Sequence, residues 1–376
     1  MAEYNFKIIS NNECEATLVD CEKDEVLKFP EEYEGRIVKE VIWNEDELVN
    51  PDIVKEIIVP GNIIRVGRTE FNVFKNLEKV DLLDGVSEID EYSFYYCRFL
   101  SEISIPKSVV EIGRDAFCRC YQLKSVEIPS GVTELKSEIF SECVNLTDVK
   151  LHENLKRIWD GAFSSCKSLV SITIPDGVES IGYNAFTCCD NLQEVILPDS
   201  LTEIDEEALS FCPKLEKIIL PRNLKKISDG LFSSSSQLKE VILPEKLEEI
   251  GVEAFKGCAF KTIDIPKSVI RIAVGAFKEC YCLEAIDLCE NLTEIEWSLF
   301  DCCYVLKEVK IGKNVTEIGA EAFYGCKELK ELLLPSGINK ILYDAFTGCN
   351  NLHLISEGGG YVENYAKEKG IPFTAL

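Results

Sequence analysis

The chain has 376 residues, with 66 acidic and 40 basic side chains and 2 histidines, for a formal charge of −26 and a pI near 4.6. A charge of that sign and size repels nucleic acid and anionic membrane surfaces. No run approaches 18 apolar residues and neither end carries a lipidation motif, so no membrane-spanning helix or lipid anchor is expected.

Residues 1–53 open the chain as an expected N-terminal cap. Tyr4 to Ser10 and Ala16 to Cys21 read as two strands joined at Asn11-Asn12, and Val26 to Pro30 reads as a third, ended by its proline.

From Val54 to Asn351 the chain repeats itself 13 times, with starts such as Leu100, Leu123, Leu146 and Leu169. Eleven of the 12 intervals are 23 residues, and the one from Leu238 to Phe260 is 22, its lost residue falling just after Cys258. Fixed self-similarity at this length predicts a solenoid in which each unit packs mainly on its neighbours.

Counting the start as zero, positions three and five are aliphatic (Ile103 and Ile105, Val126 and Ile128), which predicts a short strand with one buried face. Position six is proline in nine of 13 units, ending that strand, with Leu83, His152, Cys289 and Gly312 as departures. Positions nine and twelve, such as Val109 and Ile112, are aliphatic again and predict a second extended segment. The following Gly-x-x-Ala-Phe-x-x-Cys suits one or two helical turns on the back of the stack. Phenylalanine fills its column in 12 of 13 units, Leu209 being the exception. Strand spacing of roughly 4.8 Å makes the whole a curved rod about 60 Å long. The fold class is thus an α/β repeat solenoid, with parallel β-sheets along its length and short helical turns on the other side.

Residues 352–376 form the expected C-terminal half repeat and cap. Gly358-Gly359-Gly360 breaks the pattern, Tyr361 to Lys369 reads as one amphipathic helix stopped by Gly370, and the last residues are extended.

Leu100 to Cys120, LSEISIPKSVVEIGRDAFCRC, resembles the BspA-like leucine-rich repeat, as does residue after residue of 54–351. The ending YVENYAKEKGIPF and the N-terminal hairpin are similar to those of the same family. The resemblance implies a leucine-rich-repeat solenoid, and the family is described broadly as adhesion and protein-binding modules.

Eleven of the 18 cysteines form one column of the repeat, among them Cys97, Cys120, Cys143 and Cys166. Sharing a face with alanine and phenylalanine, they read as small buried hydrophobes. Column neighbours about 5 Å apart would be within reach of a disulfide, but Glu3, Asn5 and Lys7 interrupt any apolar export segment in the first 20 residues. The expectation is a cytoplasmic chain with reduced thiols. The pairs Cys118/Cys120, Cys188/Cys189, Cys280/Cys282 and Cys302/Cys303 lack metal-ligand spacing, and only His152 and His353 offer imidazole, so neither metal nor other cofactor is expected. No phosphate loop or catalytic constellation is present, and no catalytic residue is assigned.

Function is then expected on the surface. Position four of the first strand runs through Ser104, Glu127, Lys150 and Thr173, then three consecutive isoleucines, Ile196, Ile219 and Ile242, before Asp264, Asp287 and Lys310. Gln193, Glu194, Glu216, Lys217, Lys239 and Glu240 flank them. An apolar centre with a polar rim suits a protein-binding patch. A β-branched ladder that only strengthens the sheet is the alternative. The expected function is a monomeric, non-catalytic scaffold that presents an acidic concave face to a protein partner, with a basic partner steered in by the charge. A cell-surface or secreted adhesin is the second reading, should an export signal precede the sequence.

Overall fold

The computed structural model describes residues 1–376. The chain divides into two compact units, Met1–Asp190 and Asn191–Leu376. Both are parallel β-solenoids built from the repeat.

The first unit begins with a four-stranded sheet. β1 (Glu3–Ile8) pairs antiparallel with β2 (Glu13–Asp20), while β3 (Val26–Lys28) leaves this sheet and pairs parallel with Glu56–Val59 of the first repeat. β4 (Glu32–Tyr33) and β5 (Arg36–Trp43) complete the sheet in the order β1-β2-β5-β4, with β5 parallel to β2. The sequence reading had no strand at β5. Its apolar alternation changes phase because Cys14 pairs with Val38 but Glu15 pairs with Glu40, leaving Lys39 as a bulge. Trp43 of β5 meets Phe71 and Phe74 edge-on at 5.1 and 5.2 Å, so the sheet closes the phenylalanine core at the first turn.

Each regular repeat contributes a strand of three or four residues and a second strand of two. In the first unit, Glu102–Ser104 lies parallel to Lys79–Leu82 with Ile103 opposite Val80, and Glu111–Ile112 lies parallel to Glu88–Ile89. The link between the two strands is a turn closed by a backbone bond to position six, as in Val109 N–H to Pro106 C=O at 3.1 Å. Where proline is missing the bond persists, at 3.1 Å from Leu155 to His152 and 3.2 Å from Val315 to Gly312. Position six acts as acceptor through its carbonyl, which every residue supplies.

The expected helical turns on the back are almost entirely missing, which corrects the sequence reading: only Phe71–Val73, in the first repeat, makes a 3-10 turn there. The segment after the second strand is a chain of turns with left-handed residues at positions 15 and 19, such as Asp115 (φ 54°) and Arg119 (φ 64°), Glu138 and Glu142 (both φ 57°), and Glu253 with Gly257. Alternate N–H groups reach the next repeat. Asp115, Phe117 and Arg119 donate to Ser137, Ile139 and Ser141 at 3.0, 3.0 and 2.8 Å. A helix needs those donors for itself and cannot pass through left-handed residues. The back is therefore a third ladder between repeats. The one α-helix, α1, spans Tyr361–Lys369 and ends at Gly370, whose φ is 69°.

The core is a file of stacked rings. In the first unit Phe94, Phe117, Phe140, Phe163 and Phe186 follow one another at 5.3–5.6 Å. In the second unit Phe232, Phe255, Phe277 and Phe300 do the same at 5.6–5.9 Å.

The 22-residue repeat interrupts the second unit. Phe260 replaces the starting leucine and packs edge-on against Phe255 and Phe277 at 5.7 and 6.2 Å. With one residue fewer before it, Thr262–Asp264 forms no strand, and the ladder stops between Glu240–Ile242 and Ala285–Asp287.

Candidate functional site: an isoleucine ladder

Ile196, Ile219 and Ile242 end three short strands of the second unit, Glu194–Ile196, Lys217–Ile219 and Glu240–Ile242. Pleating turns Val195 and Ile218 inward and these three outward, where they are 49%, 56% and 43% exposed. Ile219 and Ile242 are direct cross-strand partners in a parallel register, and the Lys217 strand also lies against the Glu194 strand. The rows form one apolar stripe.

The rim is arranged by the same register. Lys217 Nζ lies 2.7 Å from Glu240 Oε1, and Lys239 Nζ lies 3.2 Å from Glu216 Oε1. Gln193 and Glu194 are exposed beside them. Three carboxylates against two ammonium groups leave this rim one charge negative, far more balanced than the chain as a whole. Past Ile242 the broken ladder opens a cleft of about 850 Å³ lined by Thr262, Asp264, Asp287, Glu308 and Lys310 among others. The 22-residue interval was its signal in the sequence.

The cysteine column does more than fill space. Cys120, Cys143, Cys166, Cys189, Cys258, Cys303 and Cys326 place Sγ 3.1–3.4 Å from the carbonyl of the phenylalanine 26 residues earlier. Each thiol is a weak donor tying one turn to the last. Ser235 takes the slot in its repeat and donates to Leu209 C=O at 3.0 Å. Burial pushes the thiols of Cys97, Cys120, Cys143 and Cys166 well up. They are poor nucleophiles. Cys282 is exposed and Cys188 and Cys302 are half-buried.

No three histidine, cysteine or carboxylate side chains converge on a metal-sized site, and no helix is long and apolar enough to cross a membrane. His152 Nδ1 accepts the Asn154 N–H at 3.2 Å within its turn, and His353 Nε2 lies 2.8 Å from Thr374 Oγ1. Neither imidazole has an acid beside it in a catalytic arrangement.

Two ladders of short parallel strands, a third of turns, and surface columns repeated every 23 residues define a leucine-rich-repeat solenoid. The profile of the BspA type leucine rich repeat region matches residues 49–170, 156–280 and 248–358, and the chain belongs to that family. Among solved structures it is similar to a leucine-rich repeat protein from Bacteroides ovatus, at 24% identity and TM-score 0.72, covering 100% of this chain and 98% of that one. A leucine rich cell surface protein from Faecalibacterium prausnitzii matches at 25% identity and TM-score 0.53, over 97% of each chain. The pneumococcal vaccine antigen PcpA matches at 15% identity and TM-score 0.54, over 100% of this chain and 97% of that one. No curated protein matches the sequence.

Proposed function

We propose that the chain is a non-catalytic protein-interaction scaffold that engages its partner on the face of Ile196, Ile219 and Ile242. The observation that carries this is three adjacent outward isoleucines bordered by lysines and glutamates already paired with one another. Burying such a stripe under a partner gains hydrophobic free energy while the paired rim charges stay at the edge in water. The net charge of −26 steers a basic protein in from a distance, and the ladder holds it. The monomer works in the cytoplasm with its thiols reduced. A second reading, a surface or secreted adhesin, is favoured by the similarity to the Faecalibacterium cell surface protein.

Affinity purification from the native cell identifies the partner. Changing Ile196, Ile219 and Ile242 together to Ser should then abolish its capture, while circular dichroism and melting remain close to those of the unaltered chain. A partner retained in full by the triple variant overturns the assignment of the face. Cell fractionation with an antibody separates scaffold from adhesin.

A further inference from the structure

A second surface, on the first unit, differs in chemistry from the isoleucine ladder and stands independently of it. The back turns of the repeats starting at Leu77 and Leu100 carry Tyr92, Tyr95, Tyr96, Phe99 and Tyr121 with Arg98, Arg114 and Arg119. The rings contact one another, Tyr92 with Tyr95 at 5.9 Å, Tyr95 with Tyr96 at 6.4 Å and Tyr96 with Tyr121 at 5.9 Å. The guanidinium groups lie over them, Arg114 on Tyr92 at 5.4 Å, Arg119 on Tyr95 at 5.8 Å, and Arg98 on Tyr96 and Phe99 at 5.3 and 5.9 Å. Tyr96 and Phe99 are 39% and 46% exposed. Tyrosine and arginine are the residues on which protein interfaces concentrate their binding energy.

The cations are not equivalent. Arg114 is paired with Asp115 at 3.1 Å, and Arg119 with Glu142 at 3.0 Å. Arg98 and the exposed Lys75 have no ion pair, and both wall a recess of about 240 Å³ whose other residues are Asn72, Phe74, Tyr96 and Cys97. Phe74 and Cys97 are buried beneath it, and Asn72 in its wall donates through Nδ2 to Glu70 at 2.7 Å, an acid whose charge reaches Cys97. The recess has room for one carboxylate side chain and more, with an apolar floor, two cations that have no ion pair and an aromatic lip.

We propose that this recess receives an aspartate or glutamate from an exposed segment of a partner protein, its carboxylate between Lys75 and Arg98 and its neighbours on the rings of Tyr96 and Phe99. The field of a chain at −26 repels a polyanion such as nucleic acid. A single carboxylate inside the recess meets two cations against the one negative charge of Glu70, and charges farther off than a Debye length, about 8 Å, are largely screened. A charge-assisted contact to arginine beside a stacked ring fits that ligand best.

The test is a selection of random dodecapeptides displayed on phage against the full chain. Enriched peptides should share an Asp or Glu, should lose roughly tenfold or more in affinity when that acid becomes Asn or Gln, and should lose as much on the variant K75S/R98S. They should bind a control variant, K327S/K330S, as tightly as the unaltered chain. The amide-substituted peptides make the result independent of any effect of the variants on folding. Peptides without a shared acid, binding unchanged in K75S/R98S, an equal loss on the control, or no enrichment would each overturn the proposal.

Discussion

The buried thiols set the behaviour of the chain at the scale of single residues. Cys120, Cys166, Cys258 and Cys280 have pKa values raised by burial, so the folded state keeps protons that the unfolded chain releases above its ordinary thiol pKa, about 8.5. Stability drawn from neutral burial is complete below that pH and is lost as pH rises towards the folded values. Each such thiol removes about 1.4 kcal/mol per pH unit in that window. Urea midpoints in reductant should therefore be level from about pH 7 to 8 and fall steeply from about pH 9 upwards. A midpoint still level near pH 10.5 would mean that the column is not held in its neutral form. The sequence marked these cysteines as core. It did not reveal their bond to the preceding phenylalanine carbonyl, because that contact forms only when one turn lies on another.

Among the elements, the back turns separate most clearly what a residue pattern can and cannot say. Ala116, Phe117 and Cys120 have helix-like spacing, yet their backbone makes a ladder with the next repeat. A signal against helix was present at positions 15 and 19, where Gly161, Gly230, Gly257 and Gly325 recur, all with positive φ. Gly257 has φ 72° and its nearest neighbour would lie 3.6 Å from an added Cβ, so room is not the constraint. Gly257→Val should cost about 1–2 kcal/mol through the left-handed backbone alone, measured by urea unfolding. In a helix the same change would be neutral or slightly stabilising, so the sign of the effect distinguishes the two structures. Lys39 is the corresponding case in β5, where a bulge hides a strand by reversing its alternation.

For the whole molecule, stability is a sum of neighbouring contacts rather than the property of one core. Phe163 is wholly buried between Phe140 and Phe186, at 5.6 and 5.3 Å. Phe163→Ala should cost about 3–5 kcal/mol in urea melts, since the flanking rings cannot collapse into the gap. Hydrogen exchange should accelerate first in the repeats next to it within residues 1–190. Exchange that rose evenly along the chain, or a loss below about 1 kcal/mol, would contradict a file of nearest-neighbour contacts.

The sequence by itself determined the repeat, its buried columns, the family and the position of the three isoleucines, because strand alternation and a fixed period are local properties written in side-chain type. It could not determine what one turn does to the next. The thiol-to-carbonyl bonds, the ladder of left-handed turns, the pairing of Lys217 with Glu240 and the gathering of Tyr96, Arg98 and Lys75 around one recess join residues from different repeats. The same holds for the cleft at the 22-residue repeat: one missing residue is visible in the sequence, but the lost strand follows from the distance the backbone must span to meet its neighbour.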